Sequence, residues 1–197
     1  MDIERRPCRR GGPERLGERG GDLQRCLIVA TVVCCWVMVK LLRTGFLCYA
    51  SADRARVDRL LEILAPRCLT LRDVTIELWR DRAIVAGERW EQEIMGALER
   101  ADFGLLAVSP NFLASPYVTD VELPRLMSGG QIVIPFALEP LDLGLLDLHG
   151  LQALQIFHLD SARGRRRSFA ECKDVNELRF CDELLRQIVR RLAVGAR

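Results

Sequence analysis

From Thr44 onward, short apolar runs alternate with longer stretches in which apolar residues recur every three or four positions. The first pattern marks strands buried on both faces and the second amphipathic helices, so the chain reads strand, helix, strand, helix. GFLCYA, residues 45–50, is the first strand. A polar turn, Ser51-Ala52-Asp53-Arg54, leads into a helix with Val57, Leu60, Leu61 and Leu64 on one face, which Pro66 is expected to end. Ser51 or Asp53 can cap it. VTIELW, 74–79, is the second strand, and 80–89 a long loop in which Gly87 permits a turn. The helix 90–100 turns Trp90, Ile94, Ala97 and Leu98 inward.

FGLLAV, 103–108, is the third strand, ended by Ser109-Pro110. A polar loop through Asn111 and Ser115-Pro116 is predicted to reach a helix starting near Thr119, with Val121, Leu123 and Leu126 on one side. Pro is tolerated in a helix's first turn, so Pro124 places Glu122 beside the amino terminus. QIVIPFAL, 131–138, is the fourth strand, and Pro135 argues for an edge. A loop, 139–150, and a faint fifth strand, 153–157, come next, with Arg163–Arg167 as exposed loop. The last helix, 174–194, is predicted to bury Leu178, Leu184, Leu185, Ile188, Val189 and Leu192.

Alternating strands and helices imply a parallel sheet covered on both faces. In the flavodoxin-like order 2-1-3-4-5, strands one and three are neighbours whose chains leave in opposite directions. Ligands sit at such a divide, here the crevice between Ser51–Asp53 and Ser109–Tyr117. Glu122 stands over it.

The 197 residues suit one domain with an appendage, and 49% hydrophobic with 28% charged residues is a globular balance. A net charge of +2 gives no argument for nucleic acid. Residues 1–25, rich in Arg and Gly, are expected to be disordered. Three readings compete for the apolar segment 26–42: a membrane anchor, a buried helix or strand, and untranslated sequence upstream of a start at Met38. Its core, CLIVATVVCCWVMV, is shorter than the about 20 residues of a membrane span. The eight cysteines form neither a CxxC pair nor a metal-ligand grouping with His. They read as free thiols of a cytoplasmic protein, membrane-anchored if the first reading holds.

Four segments, GFLCYASADR at 45–54, LWRDRAIVAGERWEQEI at 78–94, ALERADFGLLAVSPNFLASPY at 97–117 and DVELPR at 120–125, together with IVIPFAL, resemble in order and spacing a Toll/interleukin-1 receptor (TIR) domain of the bacterial type. The resemblance covers 44 to about 138 and fades after Leu138, the domain as a whole being taken as 44–195, and it implies one of two roles. The first is an NAD nucleosidase that cuts the nicotinamide-ribose bond to give ADP-ribose or a cyclic variant, in immune or toxin signalling. The second is a non-catalytic module that assembles with itself or other TIR domains.

On the enzymatic reading Glu122 corresponds to the catalytic carboxylate, and Tyr117 to an aromatic that is often Trp in the family. Ala50, Ser51, Asp53, Arg54, Trp79 and Ser109 join Tyr117 as substrate-binding candidates. Arg82, Ile84 and Gly87 fall in the loop associated with assembly. NAD enters as substrate, and neither cofactor nor metal is implied. A carboxylate can stabilise an oxocarbenium-like ribosyl centre, and a pyridinium leaving group needs no proton.

Blander roles exist for the same residues. A helix-start carboxylate is favoured by the macrodipole by about 0.3 to 1 kcal/mol. Tyr117, Trp79 and Trp90 can serve as packing residues, and His149 and His158 have no partner in view. Other uses of such a fold are excluded: a receiver needs an Asp where Ser109 stands, SADR is not a phosphate loop, and no GxSxG is present.

Overall fold

The computed structural model describes residues 40–80, 90–161 and 164–194, without the side chains of Trp90 and Glu91. Residues 1–25, the apolar segment up to Val39, the interface candidates Arg82, Ile84 and Gly87, and Arg163 lie outside the described residues. Strand β1 is Leu41–Cys48, helix α1 Arg54–Leu69, β2 Val74–Trp79, α2 Trp90–Arg100 and β3 Phe103–Val108. A short helix α3, Pro110–Leu113, precedes a π-helical turn, Val118–Glu122, that runs into α4, Leu123–Ser128. Then come β4, Ile132–Ala137, the two-residue strands β5, Leu159–Asp160, and β6, Arg166–Arg167, and helix α5, Val175–Val194.

The four long strands form one parallel sheet in the order β2-β1-β3-β4. Side chains alternate across it. Leu47 and Tyr49 join α1, α5 and the odd-numbered positions of β3 in one core. Phe46, Cys48 and Ala50 join α2, α4 and the even-numbered positions of β3 in the other. This is the expected flavodoxin-like layering, with helices on both faces. The fifth strand shrinks to a single parallel bridge from Phe157 to Phe136. Pro135 explains the edge. Its carbonyl accepts from Phe157 N–H and Ala137 N–H donates to Phe157, so the donor that Pro lacks would have pointed away from β3.

Side chains pack closely over the centre of the sheet. A Cβ on Gly45 would come within 2.4 Å of the Phe103 ring, and one on Gly104 within 2.7 Å of Leu126. Both glycines are therefore places where a neighbour occupies the side-chain space.

Several boundaries differ from the hydrophobic pattern. β1 starts at Leu41 rather than Gly45, because Leu41 and Leu42, each 54% exposed, are held by pairing with Val74 and Thr75 rather than by burial. The last two residues of the apolar segment 26–42 are thus strand residues. Helix α1 passes through Pro66, since Cys68 beyond it is buried and Arg67 binds Ile63 O at 2.8 Å and Asp182 at 2.7 Å. In α5, Leu178 is exposed, and Phe180 and Cys181 fill the buried face with Leu184, Leu185, Ile188 and Leu192. Arg166 and Arg167 pair with β5 rather than lying in open loop. Among the described residues, no helix is long and apolar enough to cross a membrane.

The described cysteines, Cys48, Cys68, Cys172 and Cys181, are all buried free thiols. Burial pushes Cys68 up to about 11 and Cys181 up to about 12, from an ordinary 9.0. The unfolded chain would release these protons near the ordinary value while the folded chain keeps them. Stability is therefore complete below about pH 9 and falls as pH rises toward about 11 to 12. Denaturant midpoints measured across that window are expected to decline, and a Cys68→Ala, Cys181→Ala double variant to show a shallower decline.

Candidate functional site

Because β1 and β3 are adjacent and parallel, the loops that leave them open on the same edge of the sheet. From β1 the chain passes Tyr49 and Ala50 into a 3-10 turn, Ser51–Asp53, and then α1. Leaving β3 it turns at once into α3. Ser109 caps that helix by accepting Phe112 N–H at 2.9 Å, with Pro110 at the first position, where its missing donor costs nothing. What reads in the sequence as a polar loop is thus a capped turn of helix.

Asp53, 2% exposed, ties the two loops together. Its carboxylate accepts a short hydrogen bond from Ser109 Oγ and another from Asn111 Nδ2 at 2.7 Å. The carboxylate makes no cap to α1, nor does Ser51, because it is spent on the neighbouring loop. Two of the substrate-binding candidates, Asp53 and Ser109, therefore hold the scaffold of the crevice. Ala50 is buried among apolar residues, and Arg54 is exposed at the start of α1.

The chain becomes helical again at Pro116, three residues before the predicted start, with Thr119 N–H bonded to Ser115 O at 3.0 Å. Glu122 accordingly sits in the second turn, beyond the reach of the amino-terminal dipole, which fades within the first. Pro124 lies inside the helical run rather than at its start. A proline there clashes with the carbonyl of residue 120 in regular α-helix. The turn preceding it is instead wound wide, with Leu123 N–H bonded to Val118 O. Such π-helical bulges recur at functional sites.

That turn presents Glu122 to a cleft of about 160 Å³ lined by Leu47, Tyr49, Ser51, Trp79, Ile94, Ser115, Tyr117 and Val118. The structure thus brings together four of the predicted residues: Glu122, Ser51, Trp79 and Tyr117. Larger hollows lie along the outer edge of β4, about 380 Å³, and between α1 and β2, about 610 Å³. Glu122 borders neither. Trp79 is backed by Phe46, their rings 5.2 Å apart and inclined by 15°, which fixes the indole plane beside the cleft. Arg80, where the next loop begins, is anchored by an ion pair to Asp58.

Glu122 is only 7% exposed. Its Oε2 accepts the thiol of Cys48 at 2.8 Å, from the core side of β1. Burial, and then the negative charge and hydrogen bond of Glu122, push that thiol well above its ordinary range, so it stays protonated as a donor. In the sequence, Cys48 reads as an inert strand residue. The available signal is alternation: 46, 48 and 50 share the face of the sheet on which α4 packs.

A family model described as "TIR domain" matches residues 46–169. The chain is 39% identical over 101 residues to the uncharacterized protein y4lF of Sinorhizobium fredii, a match covering 49% of this chain and 30% of that relative's length. Its fold is similar to the crystal structure of the TIR domain of the Toll-related receptor TRR-2 from Hydra magnipapillata. There the TM-score is 0.52 at 19% identity, with 76% of this chain and 97% of that one covered.

Asp53→Ala leaves two donors, Ser109 Oγ and Asn111 Nδ2, without their acceptor. It is expected to lower stability by about 2 to 3 kcal/mol, read as a shift in denaturant midpoint. Asp53→Asn, which can still accept from one of them, should lose less.

Proposed function

Because the chain belongs to the TIR domain family, we propose that it cleaves NAD at the nicotinamide-ribose bond, with Glu122 as the catalytic carboxylate. The observation that carries this reading is a nearly buried carboxylate forming one wall of a cleft whose other walls include a fixed indole and a phenol ring. Burying a carboxylate is costly unless it is paired or hydrogen-bonded, and strongly desolvated titratable groups in clefts cluster at functional sites. At the divide between β1 and β3, that function is ligand chemistry.

The chemistry fits the residues. As the C1′–N bond breaks, its electron pair neutralises the pyridinium ring, and nicotinamide leaves without a proton. Positive charge collects on C1′ and the ring oxygen of the ribose. A carboxylate in a water-poor cleft stabilises that charge more strongly than one in bulk water. Water then adds at C1′ to give ADP-ribose, or an internal nucleophile adds to give a cyclic product. The cleft is below the about 300 to 1,000 Å³ of sites that engulf a drug-sized ligand, so it has room for about one ring while the rest of the dinucleotide lies along the rim. Trp79 supplies a flat face for that ring, with Tyr117 close by. Activity in an assembly of TIR domains, with the loop bearing Arg82, Ile84 and Gly87 as the docking segment, belongs to the same proposal.

Incubation of the purified chain with NAD, followed by chromatography, is expected to show nicotinamide release, and Glu122→Gln to reduce it by about a hundredfold or more with the unfolding midpoint retained. NAD left intact by the native chain, dilute and concentrated alike, would overturn the enzymatic reading and leave a TIR–TIR docking module. Trp79→Ala is expected to raise KM about tenfold, the loss of one stacking face at about 1 to 3 kcal/mol, with a smaller change in kcat.

A further inference from the structure

Glu122 has a partner that the proposed chemistry leaves unused. Cys48 sits on β1, the strand paired on both sides, and is 1% exposed within the core formed by the sheet, α2 and α4. It does not line the cleft. Its thiol reaches Glu122 from behind, 2.8 Å from Oε2, across 74 residues of chain. We propose that Cys48 is a positioning residue of this site, its S–H helping to fix the plane of the Glu122 carboxylate toward the cleft.

Two features make the bond more than packing. The first is where each partner stands. Glu122 rides on a π-helical turn, whereas Cys48 is held in the ladder that pairs β1 with β3, opposite Leu106. A donor on the central strand therefore transfers the rigidity of the sheet to a side chain with three torsions of its own. Preorganisation of this kind is what a charge-stabilising group needs, since it must not reorient as charge develops.

The second feature is the donor's strength. A thiol is a weak donor compared with a hydroxyl or an amide. It orients the carboxylate while drawing off little of the negative charge that faces the ribosyl centre. A thiol enclosed in this way is a donor and not a nucleophile, so no covalent step passes through it.

This inference rests on the enzymatic reading of Glu122, and its test separates the two. Steady-state nicotinamide release from NAD is measured for the native full chain, Cys48→Ala, Cys48→Ser and Cys48→Val. Valine refills the volume without a donor and so guards against a cavity effect. Loss of the donor is expected to lower kcat about tenfold in the Ala and Val variants, with KM within about twofold of native, and Ser to regain most of the loss. Infrared spectroscopy reads the bond itself: the S–H stretch of Cys48 should shift in Glu122→Gln, while those of Cys68, Cys172 and Cys181 stay in place. An unmoved band overturns the proposal whatever the turnover. So does a native kcat in Cys48→Val, or a Cys48→Ser that recovers nothing. Absence of nicotinamide release from the native chain is the distinct result that removes the reading of Glu122 on which the proposal stands.

Discussion

The pairing of β1 with β3 is the constraint on which the site depends. Parallel neighbours whose chains depart to opposite sides leave a gap at the carboxyl ends that no crossover fills, and everything of chemical interest is arranged around it. Two glycines let side chains pack over that pair, since Gly45 yields its side-chain volume to the Phe103 ring and Gly104 yields its own to Leu126 of α4. Across the mouth of the gap, Asp53 accepts from Ser109 and Asn111 and so holds the two exit loops at one separation. A buried charge employed in this way is satisfied by fixed donors rather than by water, and such networks tolerate few alternative arrangements. The loops bordering the cleft are consequently part of the framework, and freedom of movement has to come from elsewhere.

How much of this is legible in the sequence can be judged from individual residues. Strands β2 and β3 and helix α2 have the predicted bounds because each is a dense apolar or amphipathic run, and burial writes itself into composition. Leu41 and Leu42 show the opposite case. They are strand by virtue of hydrogen bonding to a neighbour, which leaves no trace in a hydrophobic pattern. The two Ser-Pro pairs, at 109–110 and 115–116, read as loop punctuation, yet each opens a helix, because Pro at the first helical position forfeits no bond. At the site, the hydrophobic pattern puts Glu122 in the right groove but on the wrong turn. Tyr117 and Ser51 can be assembled around it from topology, and Trp79 through the family resemblance. Asp53 and Ser109 cannot be assigned to each other without coordinates, because a contact between residues 53 and 109 is a property of the folded chain.

The thiol of Cys48 illustrates why the least visible participant is the hardest to find. Its neighbours in sequence are apolar, it stands at the end of a buried strand, and every local signal says core. Only the winding of the turn ahead of Pro124 brings a carboxylate to meet it. Glu122 is the last residue of that widened turn, so the same proline that would break a regular helix is here accommodated by the winding that carries Glu122.

Pro135 has a wider consequence than ending a strand. The outer margin of β4 lacks one amide hydrogen, and the two groups that follow the gap, Pro135 O and Ala137 N–H, are engaged by Phe157. A strand from another molecule arriving at that margin would find its ladder interrupted just where pairing should begin. Lateral growth of the sheet is thereby hindered on this side, and β2 is left as the outer strand at the other margin.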